Sequence, residues 1–314
     1  MSDVTGIQVG FGAPVSGAWA TPQNLAAFAQ RAEQAGYASL WSFQRLLIPS
    51  TLAATMDPVY QSVLDPMAVL AYAAAVTSRI RLGVAVINAP YVSPGYLAKQ
   101  AASLDVLSQG RHDLGLGIGW QAEEFTLTGA EMARRGPRTA EYTKVLRALW
   151  SDSSAGFDGE FYHVPPGDQA PKPVQAGGPP ILLGGMARPA LERIGRVADG
   201  WVTSSRTDLS RIGELIDIVR QSAAGAGRDA SALRVVVRGV VRAGREEADP
   251  DGQRLLLSGS YAQIREDLAV LADRGVTEVF YDLNWDRQVG SPSADPAGAT
   301  ARAGEILDAL APSA

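Results

Sequence analysis

The chain has 314 residues, 46% hydrophobic and 19% charged, and a net charge of −5 with the signs interspersed. That is ample for one large domain or two small ones, and it leaves no basic footprint for nucleic acid. Cysteine is absent and histidine occurs only as His112 and His163, which excludes disulfides, thiolate metal sites and a cysteine nucleophile and leaves no histidine-rich metal centre. No apolar run reaches the ~20 residues of a membrane span. The N-terminus carries no basic region before an apolar core, so a mature cytoplasmic protein is expected.

In chain order, Gly6 to Phe11 reads as strand one. Thr21 caps a first helix with Pro22 at its first position, an apolar face through Leu25, Phe28, Ala29 and Ala32, and Gly36 as its stop. Strand two is Ser39 to Phe43, and a loop rich in proline and small residues follows to Val63. Helix two is Pro66 to Thr77. Ile80 to Ile87 is a nearly all-apolar, β-branched run, as expected of a parallel strand covered on both faces. Asn88-Ala89-Pro90 stops it. Ser93 caps the next helix, with Pro94 in its first turn and Gly110 at its end. Strand four, Arg111 to Trp120, places Gly115, Gly117 and Gly119 on one face. Residues of a strand share a face at alternate positions, so three side chains are missing from one side. Either something flat approaches the bare backbone or the barrel packs tightly there.

Ala122 to Thr128 is a loop or short helix, and Thr139 to Trp150 an amphipathic helix. Ser151 to Gly178 breaks the rhythm with glycine and proline around one β-like segment, Gly159 to Val164. It reads as an inserted excursion, because alternation resumes afterwards. Strands follow at Pro180–Leu183, Gly200–Ser204, Leu233–Val241 and Thr277–Leu283. Helices follow at Arg188–Val197, Leu209–Ala223, Ala262–Arg274 and Ala297–Leu310. Eight strands alternating with eight helices imply an α/β fold of the closed (β/α)8 kind. An open doubly wound sheet is disfavoured, because no strand is followed by the glycine spacing and ribose-binding acid of a dinucleotide site. In such a barrel chemistry sits at the C-terminal strand ends. That rule selects Gly12 and Ala13, Gln44 and Arg45, Asn88 to Tyr91, Trp120 to Glu124, Gly184 to Met186, Ser204 to Arg206, and Asn284 with Trp285.

A resemblance joins this reading. LAKQAASLDVLSQGR, then LGLGIGW, then EEF, is similar to the bacterial luciferase-like family of flavin- and deazaflavin-dependent oxidoreductases. GYASLW precedes them. RTAEYTKVLRALW, GEFYHV, PKPVQ, PPILLGG, ADGWV and GSYAQIREDLAVLADRGV follow in the family's order, so the likeness spans roughly residues 5 to 285. It looks closest to the branch that uses coenzyme F420. The resemblance implies one luciferase-like TIM barrel over residues 1–314, with the insertion at about 151–178. It also implies a homodimer and hydride transfer between reduced F420 and a small organic substrate. The alternatives are an FMN-dependent monooxygenase fed by a separate reductase, and a non-catalytic flavin-binding barrel.

The family's acid–histidine pair is replaced here by Gln44-Arg45. Arginine keeps its proton near neutral pH, so the usual proton transfer does not carry over. Arg45 either holds an anionic substrate or developing charge, or is a surface loop residue. Val86-Ile87, followed by Asn88, aligns with the family's non-proline cis peptide, which backs the deazaflavin ring; an ordinary strand end is the other reading. Trp120, after Gly119, stands where the sugar-phosphate branch has an acid, and it either stacks on a ring or plugs the barrel mouth. Glu123 is an acid–base candidate if it is desolvated, or a solvated charge at a helix start. Gly184, Gly185 and Met186 with Arg188 look like part of the cofactor site, with a helix N-terminus facing a phosphate, or like a tight strand-to-helix turn. The basic run Arg134 to Arg138 touches the anionic cofactor tail or is a solvated helix cap. His112 and His163 are read as structural, and no metal site is expected.

Overall fold

Short apolar segments covered on both faces pair in parallel, and here they close on themselves in chain order. The barrel strands are β1 (Gln8–Gly12), β2 (Ser39–Ser42), β3 (Arg81–Asn88), β4 (His112–Gly117), β5 (Ile181–Gly184), β6 (Gly200–Val202), β7 (Arg234–Val240) and β8 (Glu278–Asp282). Each pairs with the next, and β8 pairs back on β1. The computed structural model describes residues 6–152 and 156–312. The helices among them are α1 (Pro22–Gln34), α2 (Pro66–Val76), α3 (Pro94–Leu107), α4 (Ala122–Thr128), α5 (Arg135–Trp150), α6 (Arg188–Val197), α7 (Ile212–Gly225), α8 (Tyr261–Asp273) and α9 (Pro296–Ala309). This is the closed (β/α)8 arrangement expected from the sequence. Among the described residues no helix is long and apolar enough to cross a membrane.

The helix starts follow local chemistry. Thr21 accepts the Asn24 N–H, Ser93 that of Tyr96, and Ser260 forms a reciprocal box with Gln263. One boundary differs from expectation. The helix expected from Thr139 begins at Arg135, because a proline in the first turn, here Pro137, costs no intrahelical hydrogen bond. Its basic run is therefore part of the helix rather than a lead-in to it. The excursion holds a two-residue antiparallel pair, Phe157–Asp158 with His163–Val164; residues 153–155 of it lie outside the described residues. Glu141 of α5 secures its turn by accepting the Phe161 and Tyr162 N–H groups, both at 2.8 Å.

Side chains inside the barrel form layers, as alternation requires. The lowest is ionic. Asp113 receives Arg81 at 2.9 Å and Arg234 at 2.8 Å, while Arg234 also reaches Glu278 at 2.9 Å. Trp41 donates its indole N–H to Glu278 at 2.8 Å. Burial alone would raise the Asp113 carboxyl, but the two guanidinium groups outweigh it and hold it below its ordinary value. Above this layer Trp41, Ala85, Leu182, Val202, Val236 and Phe280 pack as an apolar plug, with the Trp41 and Phe280 rings stacked 5.2 Å apart. The plug is the floor of a cavity that opens at the C-terminal strand ends.

Candidate active site

The cavity has a volume of about 450 Å3 and is built from the ends of β2 through β7 and from Arg135 of α5. Of the residues singled out in the sequence, Gln44, Arg45, Val86, Asn88, Gly119, Trp120, Gly184, Gly185 and Met186 line it. Ile87, Glu123 and Arg188 do not.

The exception at Ile87 follows from a bulge. The register of β3 on β4 shifts between Val84 and Ile87, so the in–out alternation slips by one residue. Ala85 and Val86 both face the cavity, and Ile87 is buried in the core outside the barrel. The non-proline cis bond lies between Ala85 and Val86, one position before the expected place. The glycines of β4 sit against this bulge. A Cβ on Gly115 would overlap the Val84 carbonyl oxygen, whereas one on Gly117 would come within 2.6 Å of a Val86 methyl and 2.7 Å of Asn88 Oδ1. Gly115 thus answers to packing within the barrel, and Gly117 to packing and to the open cavity together.

Gln44 serves as a fastener. Its Oε1 accepts the Asn88 N–H at 2.9 Å, and Asn88 Oδ1 accepts the Gly119 N–H at 3.0 Å. The ends of β2, β3 and β4 are tied by this relay. Beside it, Arg45 lies with its side chain only 5% exposed, its guanidinium carbon 4.3 Å from the Tyr60 ring centre and 4.8 Å from that of Trp120. The carboxylate that faces it is Glu124, Nη1 to Oε1 at 3.2 Å. Glu124 is buried and also accepts the Leu46 and Leu47 N–H groups, at 2.8 and 3.2 Å. Glu123, the expected acid–base residue, is half-buried and accepts from the Gln121 side chain. The residues of α4 are rotated about 100° apiece, and it is Glu124 and Phe125 that this turns inward. Tyr91 lies edge-on to Phe125, its hydroxyl pushed well above the ordinary phenol value by burial and by the nearby Glu124 charge.

Arg188 projects into solvent and pairs with Glu192 at 3.0 Å. The N-terminus of α6 that it opens has no side-chain cap. His112 is buried in β4 with Nδ1 3.0 Å from the Leu82 carbonyl oxygen, and burial pushes its pKa down; His163 is exposed beside Asp158. Neither lines the cavity. Asn284, chosen by the strand-end rule, is instead a hub for the β1 loop, accepting from Ser16 N–H and the Trp19 indole, both at 3.2 Å.

Sequence reasoning passed over Arg238. It points inward from β7, donates through Nε to Asp282 at 2.6 Å and through Nη1 to the Ala85 carbonyl at 3.2 Å, and lies against the Phe43 ring. The available signal was a lone arginine in the run Val235-Val236-Val237-Arg238-Gly239-Val240. Arg206, chosen by the strand-end rule, and Arg135, from the basic run read as a cofactor-tail contact or a helix cap, line the cavity as well. The result is a cavity lined by Arg45, Arg135, Arg206 and Arg238 and, among the described residues, by no aspartate or glutamate. No cluster of three or more potential metal ligands occurs among the described residues.

A parallel eight-stranded barrel with a bulged third strand, bare glycine backbone and a cationic cavity at its C-terminal end is a luciferase-like barrel. The chain belongs to the luciferase-like monooxygenase family, whose model matches residues 4–250. The family comprises oxidoreductases and monooxygenases, with F420-dependent and FMNH2-dependent members. An uncharacterized protein of Mycobacterium tuberculosis is 35% identical over 236 residues, 75% of each chain. An FMNH2-dependent dimethylsulfone monooxygenase of Pseudomonas putida is 30% identical over 202 residues, 63% of this chain and 53% of that one. The F420-dependent tetrahydromethanopterin reductase of Methanopyrus kandleri shares the fold with a TM-score of 0.73 at 17% identity, over 97% of both chains.

Proposed function

We propose that the chain is an F420-dependent oxidoreductase. Its reaction is hydride transfer between reduced deazaflavin and a small organic C=C or C=N, or an alcohol/carbonyl pair. The observation that carries this reading is that Arg135 and Arg206 line the cavity and that, among the described residues, no carboxylate lines it. A cofactor with a phosphate and several glutamates calls for more than one cation near its binding groove. The residues present fit such a group. Gly117 and Gly184 line the cavity without side chains, which leaves room for a flat ring, and Val86 on the bulge gives it an apolar backing. Arg135 and Arg206, with Ser204 and Ser205, would hold the anionic tail; the Arg135 Nε is buried and meets no acceptor.

Bound reduced deazaflavin supplies the hydride. The chain orients the reactants, excludes water from the apolar floor, and offers fixed positive charge to an acceptor that gains electron density. Two further parts of the proposal are a cytoplasmic homodimer and a separate reductase that keeps the cofactor reduced.

A second reading, an FMN-dependent monooxygenase, is favoured by the likeness to the Pseudomonas putida enzyme. Equilibrium titration with F420 and with FMN, followed by absorbance or fluorescence, separates the two. Micromolar F420 binding with weaker FMN binding is expected. Preference for FMN would put the monooxygenase first, and binding of neither would leave a non-catalytic barrel.

A further inference from the structure

We infer that the substrate carries a carboxylate and that Arg45 is the group that receives it. This deepens the proposed function and rests on it, since the substrate must enter the cavity beside the cofactor. Arg45 is more than nine-tenths buried, yet its Nε finds no acceptor and its Nη1 faces Glu124 at 3.2 Å without a well-aligned hydrogen bond. Its carboxylate neighbour among the described residues, Glu124, is already engaged by two backbone N–H groups. A buried guanidinium with unmet donors is costly to keep unless a ligand completes it. The flanking groups indicate the shape of that ligand. Tyr60 and Trp120 place flat rings against the guanidinium, so a planar anion continuous with a conjugated or aromatic body fits better than a tetrahedral one. Trp120 is 52% exposed and lines the cavity, so its indole forms the outer wall beside Arg45. The replacement of the family's acid–histidine pair by Gln44-Arg45 is then a change of substrate class.

The test compares cinnamate, cinnamamide and inorganic phosphate as ligands of the purified full-length protein, with and without F420, by calorimetry. Cinnamate is expected to bind at least tenfold more tightly than its amide, and phosphate to compete weakly. Arg45→Gln should abolish the preference while leaving F420 affinity within twofold, and Arg45→Lys should restore part of it. Equal binding of acid and amide, or no binding of either, overturns the inference. So does phosphate competing as well as cinnamate, or a tenfold loss of F420 affinity in Arg45→Gln, which would assign Arg45 to the cofactor. Failure of F420 to bind the wild type sinks the proposed function alone, since the acid–amide comparison still reads on Arg45 without it. If Arg45→Gln does not fold, cinnamate titration of the 15N-labelled wild type decides: the Trp120 indole N–H must shift for the inference to stand.

Discussion

Arg238 donates a hydrogen bond to the Ala85 carbonyl oxygen across the barrel interior, 3.2 Å away, while its Nε holds Asp282 at 2.6 Å. β7, β8 and the bulge of β3 are therefore joined by one side chain. The bulge is what sets Val86 into the cavity, so its position depends on this guanidinium. Arg238→Met should free the Ala85 carbonyl and leave Asp282 a buried carboxylate without its cation. Breaking one side of a buried pair costs about 3 kcal/mol, read by chemical denaturation, and cofactor affinity should fall at least tenfold. Arg238→Lys keeps the charge but loses the fork, and should fall between. Unchanged binding in a folded Arg238→Met variant would show that the bulge stands without Arg238.

Gly115 and Gly117 are two residues apart on one face of β4, yet they should respond differently to alanine. The Cβ of Gly117→Ala would meet Val86 and Asn88 side-chain atoms, which can shift only at the expense of the Asn88 Oδ1 to Gly119 N–H hydrogen bond. That variant should fold with cofactor affinity reduced about tenfold, or roughly 1.4 kcal/mol. Gly115→Ala would press on the Val84 carbonyl oxygen, which is backbone and cannot rotate away. It should lose about 3 kcal/mol of stability by overpacking. Thermal melts and a binding titration on both variants check the pair; equal melting temperatures would remove the distinction.

Glu124 joins α4 to the loop after β2 through two backbone N–H groups and faces Arg45. Glu124→Ala leaves both donors and a buried cation unanswered, at a cost of about 3 kcal/mol. Amide exchange at Leu46 and Leu47 should accelerate by an order of magnitude or more. Glu124→Gln keeps an acceptor oxygen and should lose less. If exchange at these two amides is unaltered in Glu124→Ala, the carboxylate is not what orders the loop.

What was legible in the sequence was whatever local pattern encodes. The apolar runs placed the eight barrel strands, the caps at Thr21, Ser93 and Ser260 placed helix starts, and strand order then located the cavity at one end of the barrel. What was not legible depended on phase or on pairing across the barrel. A one-residue slip at the bulge exchanged Ile87 for Ala85, and one step of rotation on α4 exchanged Glu123 for Glu124. Arg234 and Arg238 looked like interruptions of an apolar strand. Their partners Asp113, Glu278 and Asp282 lie on other strands, the nearest 40 residues away in the chain, and no local pattern announces such pairs.

Those inward charges also predict a pH dependence. Asp113 is buried between Arg81 and Arg234, which hold its pKa below the ordinary value against the opposing effect of burial. A carboxyl depressed in the folded state stabilises it fully above the unfolded pKa of about 3.9, and that contribution disappears as pH falls through the lower folded value. Asp113→Asn keeps the volume and removes the charge, leaving two guanidinium groups facing each other at the barrel base. At pH 7 it should be less stable than wild type by about 3 kcal/mol. The gap should stay constant down to about pH 4 and narrow below it, because only the wild type has the Asp113 ion pairs to lose by protonation. Urea denaturation of both proteins from pH 7 to pH 3 measures the gap directly. A gap that widens on acidification would mean that Asp113 is held above its ordinary value, with desolvation outweighing the two arginines.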